Sequence, residues 1–292
     1  MKHRELSAFE DLLAGPAGGV CECLSGHPLD TVKVRMQTGV AGPGATVWGT
    51  FRGIAAAEGL RGLYRGVSSP LAGLVLINAA MFSSYEAACA QLGASDADAL
   101  GMTFAAGCTS GAFTTCVESP VDLVKVQLQR ERAGQTRLYS GYFDCVRQIW
   151  RVGGARGAFQ GASATLLRNV PAQGFHFVAY EATLSALDGR PSDGGSVASW
   201  TVLVSGSMAG LTLWISTYPL DVLKSMLQAQ PLVRHEREFA GLGDCARQTL
   251  LRQGVRGLFA GLSPCVVRSV PSTAACFWGY ETAAEMLRSR DG

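Results

Sequence analysis

The 292-residue sequence predicts an all-α membrane protein: six transmembrane helices in three tandem two-helix repeats, with short interfacial helices, forming a pseudo-threefold barrel. Three observations predict it. Charged residues make up only 16% of the chain against 48% hydrophobic, which is apolar for a soluble protein. A proline-centred motif recurs three times. Apolar segments of membrane-spanning length accompany each copy. The same composition excludes one large class of partner: Lys+Arg 25 against Asp+Glu 23, a net charge of +2, leaves no basic field for neutralising nucleic-acid phosphates.

The repeat begins with PLDTVKVRMQ at Pro28, PVDLVKVQLQ at Pro120 and PLDVLKSMLQ at Pro219, spaced by 92 and 99 residues. Thirteen residues before each proline a Gly-x-x-x-Gly pair opens, Gly15 with Gly19, Gly107 with Gly111 and Gly206 with Gly210. Small residues at that spacing let membrane helices approach closely, so these glycines are assigned to packing. Downstream, EGLRGLYRGVS, GGARGAFQGAS and QGVRGLFAGLS align Arg61, Arg156 and Arg256, then Ser68, Ser163 and Ser263. Units at 1–95, 96–191 and 192–292 follow.

Each unit reads as a long apolar helix ending in the proline motif, a short amphipathic stretch and a second apolar helix. The long helices are predicted near 10–37, 102–129 and 198–228, and their partners near 68–92, 163–187 and 263–288. Each exceeds the roughly 20 residues that cross a hydrocarbon core. TVWGTFRGIAAAEG and YFDCVRQIWRVGG, with mixed apolar and basic faces, are predicted to lie at the interface. Two spans per unit place both termini on one side.

Charge at membrane depth is costly, so acids and bases there face a water-filled cavity or one another. Asp30, Asp122 and Asp221 each precede Lys33, Lys125 and Lys224 by three residues, and six such groups at one depth can form an inter-helix ring. Arg168 and Arg268 each lie 13 residues before a Glu, about 20 Å along a helix at 1.5 Å per residue and close to mid-membrane. A planar bidentate donor at that depth suits a substrate carboxylate. The nine cysteines show neither zinc spacing nor a disulfide framework and are assigned to packing, and His27 and His176 to packing or hydrogen bonding rather than proton relay. No nucleophile–base arrangement, metal cluster or phosphate loop is visible, so no enzyme and no cofactor are expected. MKHRELSAFEDLLAG lacks the features of a removable targeting sequence.

Pro-x-Asp-x-x-Lys followed by Gly-x-x-x-x-aromatic-x-Gly, three times along essentially the whole chain, resembles the mitochondrial carrier family. The resemblance implies an inner-membrane antiporter, monomeric, with cardiolipin as lipid partner, its termini on the cytosolic side and its Asp–Lys ring closing the matrix side. It further implies that Gln37, Gln129 and Gln228 brace the pairs from beneath. A cytosolic gate would come from Tyr85 and Glu86, Tyr180 and Glu181, and Tyr280 and Glu281. The bases that complete that gate in the family are replaced by Cys89, Leu184 and Ala284, so a matrix-closed state is expected without substrate. Arg35 and Glu58 keep two peripheral signature charges that Gln127, Met226, Gly153 and Gln253 replace elsewhere.

GHPLDTVKVRMQT, LLRNVPAQGFHFVAYE and VVRSVPSTAACFWGYE resemble the branch of carnitine/acylcarnitine and basic amino-acid carriers. There, Arg168 and Arg268 are implied substrate contacts, joined by Asn169 on the fourth helix and by Gly73 and Asn78 on the second. Glu22 is the first candidate for the cationic end of the substrate, with a structural hydrogen-bonded role as its alternative, and Glu118 is a second candidate nearer the ring. A basic amino acid is the first cargo expected and carnitine or an acylcarnitine the second. An uncoupling-type proton or ion leak is the rival function, and a peroxisomal membrane the rival location.

Overall fold

A computed structural model describes residues 8–42, 44–92, 99–130, 138–187 and 199–290. Six long helices dominate: α1 (Ala8–Gln37), α3 (Ser68–Leu92), α4 (Ala99–Gln129), α6 (Ala162–Leu187), α7 (Ser199–Gln228) and α9 (Leu262–Arg290). Three shorter ones, α2 (Val47–Leu63), α5 (Tyr142–Ala158) and α8 (Leu242–Gln253), link the members of each pair. The long helices run for 25 to 31 residues. Their bounds fall within three residues of the sequence expectation. Among the described residues only Ser68–Leu92 is both long and apolar enough to pass as a membrane span by composition. α1, α4 and α7 carry the charged proline motif, and Pro28, Pro120 and Pro219 lie inside them.

The six long helices close a ring. α3 packs on α4, α4 on α6, α6 on α7 and α9 on α1, with slighter contacts from α1 to α3 and from α7 to α9. The α4–α6 contact shows why the glycine pair is there: a Cβ on Gly111 would lie 2.4 Å from the Asn169 carbonyl oxygen, and one on Gly107 2.7 Å from that of Gln173. The equivalent Gly206 and Gly210 of α7 have nothing within 4 Å.

The short helices lie along the ends of the odd-numbered long helices. Val32 of α1 is buried with Ile54 and Leu63 of α2. Leu123, Val124 and Leu128 of α4 are buried with Cys145 and Ile149 of α5. Leu223 and Leu227 of α7 enclose Cys245 of α8. Burial pushes the Cys145 thiol up to about 12 and the Cys245 thiol to about 11, so both stay protonated and inert at neutral pH, as packing residues should. Outer faces carry Phe143 and Trp150 of α5 and Leu251 of α8, all exposed. Asp144 and Asp244 accept the backbone N–H groups of Ser140 and Ala240 at 2.9 and 3.0 Å, which holds both carboxyls below the usual range.

After each short segment the chain turns at Gly66, Gly161 or Gly261, with φ of 82°, 79° and 76°, a region that favours glycine. Each turn also nests on the next repeat. A Cβ would lie 3.2 Å from the Lys125 carbonyl oxygen at Gly66, 2.9 Å from Gln228 Cγ at Gly161 and 3.1 Å from the Lys33 carbonyl oxygen at Gly261. Repeat 3 thus meets repeat 1, and the ring is cyclic.

Candidate functional site

Three proline motifs put three acids and three lysines at one level, and the ring geometry joins them between helices. Lys125 Nζ lies 2.6 Å from Asp30, Lys33 Nζ lies 2.6 Å from Asp221, and Lys224 pairs with Asp122. Every lysine reaches the acid of the preceding repeat. An Asp and a Lys three apart on one helix project side by side, so cyclic packing pairs each with a neighbour's opposite charge.

The three glutamines lie beside this ring, but they do not act alike. Gln37 Nε2 donates to Asp221 at 3.0 Å and to the Tyr218 hydroxyl at 3.2 Å. Gln129 instead meets His27 at 3.2 Å and Thr31 at 3.1 Å. Gln228 reaches the Ser119 carbonyl at 3.5 Å and Thr165 at 3.4 Å. What the three share is contact with the residue before the preceding repeat's proline, His27, Ser119 or Tyr218. Only Gln37 also touches a ring carboxylate.

Next to the ring lies a cavity of about 300 Å³ lined from all six long helices. Its charged lining is Glu22, Asp30, Glu118, Asp122 and Asp221 against Lys33, Lys125, Lys224, Arg168 and Arg268, five acids and five bases. Arg268 donates to Asp30 at 2.7 Å and lies 3.7 Å from Glu22. Arg168 donates to Asn169 at 2.8 Å and lies 3.5 Å from Glu118 and 3.9 Å from Asp221. Trp214 carries two of these cations on its ring, Lys33 Nζ at 4.1 Å from the centroid and Arg168 Cζ at 5.3 Å. The charges of the chamber are thus balanced.

Comparison with known proteins agrees with this architecture. The family model described as mitochondrial carrier protein matches residues 4–94, 97–190 and 195–291. The chain belongs to the mitochondrial carrier family. It is 41% identical to the mitochondrial basic amino acids transporter of Bos taurus over 91% of this chain and 88% of that protein. It is 35% identical to the mitochondrial carnitine/acylcarnitine carrier protein of Mus musculus over 97% and 96% of the two chains. With the mitochondrial magnesium exporter 1 of Drosophila melanogaster the identity is 37% over 98% and 97%. Carriers of this family are transporters rather than enzymes, and the mitochondrial relatives are inner-membrane proteins.

The remaining expected carrier residues divide. Asn169 is buried beside the cavity, where its Nδ2 donates to Glu118 at 2.8 Å and to Thr115 at 3.2 Å. Gly73 does not line the cavity: a Cβ there would lie 2.8 Å from Val121, so it serves the α3–α4 approach. Asn78 is exposed on α3 and likewise lies outside the lining. Glu22, with its side chain 45% exposed, is the most open acid of the set. Toward the other end, Tyr85 stacks on Phe177 with ring centroids 3.7 Å apart. Glu86 is exposed, Tyr180, Glu181 and Tyr280 are half-buried, and the Glu281 side chain lies outside the described residues. His27 is buried against the Arg65 carbonyl at 3.0 Å, a hydrogen-bonding role as expected.

Arg35 meets Glu58 through two bonds of 2.5 and 3.0 Å, and its Nε donates to the Gln129 carbonyl at 3.2 Å. Gln127 keeps the equivalent backbone bond, to the Gln228 carbonyl at 2.7 Å, without an ion pair. Sequence reasoning missed Trp214 and Tyr218. Trp214 lies two helical turns before Asp221 and so shares its face. Tyr218 occupies the position before the proline, where His27 and Ser119 stand.

Proposed function

We propose that this carrier exchanges a basic amino acid across the mitochondrial inner membrane by alternating access. The single observation that carries the proposal is the cavity beside the closed ring, where two arginines and two further acids, Glu22 and Glu118, are held within 4 Å of one another in pairs. The arginines receive the carboxylate, and Glu22, the most open acid, receives the side-chain cation. The 41% identity to a basic amino acids transporter supports this cargo. The closed Asp–Lys ring is the matrix gate, all six long helices span the bilayer, and both termini face the cytosolic side. The carrier acts as a monomer bounded by lipid, cardiolipin included. Arginine and lysine contacts on every cavity acid suit an organic zwitterion better than the bare divalent ion named in the magnesium exporter.

Carnitine or an acylcarnitine is the second cargo, favoured by the carnitine/acylcarnitine relative. Proteoliposomes separate the readings. Saturable, stereoselective exchange of L-lysine or L-arginine is expected. Exchange of carnitine alone, or ion flux without any counter-substrate, overturns the amino-acid reading in favour of the second cargo or of a leak.

A further inference from the structure

Glu118 holds the donors that a substrate carboxylate needs. Its Oε2 accepts from Asn169 at 2.8 Å, and its Oε1 accepts from Lys224 at 2.9 Å and lies 3.5 Å from Arg168 Nη1. Arg168 is poorly served by this arrangement. Its side chain is 9% exposed, its Nε makes no hydrogen bond, and the acid nearest that nitrogen, Asp221, is 3.9 Å away. Its short bond, 2.8 Å, goes to the neutral Asn169 oxygen. A guanidinium fork is completed by two parallel bonds to one carboxylate, and here the fork is buried in the cavity wall and incomplete.

We propose that Glu118 is a specificity-determining residue: it stands in for the substrate carboxylate in the empty carrier and, on loading, yields Arg168 and takes the substrate's α-ammonium. This rests on the amino-acid cargo proposed above. An entering carboxylate fills the free Nε and the weakly held Nη1 of Arg168. Glu118 stays on Lys224, so two carboxylates then crowd one guanidinium, and like charges at that range repel. An ammonium on the carbon next to the entering carboxylate lies between them and relieves the repulsion. A carboxylate without a neighbouring ammonium has no such relief and is rejected, which is selection by an unfavourable contact. A quaternary ammonium has no N–H and meets Glu118 through charge alone.

The test uses the full-length carrier in liposomes and two probes that differ in one group, L-lysine and 6-aminohexanoate, which lacks the α-ammonium. Stabilisation of the wild-type carrier by L-lysine or L-arginine against thermal unfolding is measured first. If neither stabilises it or is exchanged, the amino-acid cargo fails and this proposal falls with it. Otherwise the wild type should prefer lysine over 6-aminohexanoate by roughly tenfold or more, as a site built for a hydrogen-bonding group rejects its absence. Glu118→Gln should bring that ratio toward one, with lysine uptake falling and 6-aminohexanoate uptake holding or rising. Glu118→Asp, which keeps the charge, should keep the preference. Equal uptake of both probes by the wild type overturns the proposal without any variant. An equal loss of both in Glu118→Gln, or an unchanged ratio, shows a structural bridge and overturns it as well.

Discussion

Arg268 donates to Asp30 at 2.7 Å, so an arginine assigned to substrate is bonded, in this conformation, to a carboxylate of the ring. The other oxygen of Asp30 holds Lys125 at 2.6 Å. Asp30 therefore belongs both to the ring and to the proposed substrate site, and on that proposal a cargo carboxylate that engages Arg268 competes with the ring for it.

Arg268→Ala and Arg168→Ala should each abolish uptake while the protein still inserts and folds. Removing one partner of a buried pair costs on the order of 3–5 kcal/mol, so each variant should also melt at a lower temperature. Uptake into proteoliposomes and thermal unfolding measure the two effects. Normal transport by both variants would remove the arginines from the site.

Gly111→Ala and Gly210→Ala should behave oppositely, although the glycines occupy equivalent places in two repeats. At Gly111 the new methyl would lie 2.4 Å from a backbone oxygen, so α4 and α6 must separate, at about 1–3 kcal/mol. At Gly210 nothing lies within 4 Å, and a gain of up to about 1 kcal/mol from helix propensity is expected. Melting temperatures of the two variants that shift together would contradict the asymmetric packing.

The end opposite the Asp–Lys ring, the proposed cytosolic side, offers places for new cations. There Tyr85 of α3 stacks on Phe177 of α6, Glu86 is exposed and Glu181 is half-buried. Lys at Cys89 and Leu184 should pair with the nearby glutamates and raise the matrix-open population. A third Lys at Ala284 is unsuitable because that position is 2% exposed. A cysteine at the cytosolic mouth, in an otherwise cysteine-free background, should label more slowly in the double-Lys variant. Unchanged labelling would mean that the missing bases do not set the balance.

Asp144 and Asp244 give a pH signature outside the membrane. Their carboxyls are held below the usual value of 3.8, first by the backbone N–H groups of Ser140 and Ala240, with further hydrogen bonds from Ser140 and Gln148 at Asp144 and from Gln248 at Asp244. A depressed folded-state value gives stability that is present above the unfolded value and lost as pH falls through the folded one. The Asp144→Asn, Asp244→Asn double variant should therefore melt below wild type at pH 7. The gap should close as pH drops below about 4. A gap independent of pH would assign the effect to side-chain shape.

The repeat, the helix bounds and the identity of the six ring charges were legible in the sequence because each depends on local signals. A motif recurring with fixed offsets to Gly-x-x-x-Gly, Arg and Ser specifies one unit three times, and the 3.6-residue period places Asp and Lys on one face. Arg168 and Arg268 were also legible as cavity residues with acid partners, since an ionised group on an apolar helix needs one.

Which partner each group takes was decided only by tertiary structure. Pairing of Lys33 with Asp221 rather than with Asp30, three residues away on its own helix, depends on α1 closing the ring against α7. The different bonds of Gln37, Gln129 and Gln228 depend on whether tyrosine, histidine or serine precedes the neighbouring proline across the interface. Gly73 matched a family site position, yet the close approach of Val121 gives it to packing. Glu118 and Asn169 are separated by 51 residues and meet because Gly107 and Gly111 let α4 and α6 touch backbone to backbone. Periodicity determines which face of a helix a residue occupies. The charge it meets there depends on the distance and rotation between helices, which side chains far apart in the chain set together.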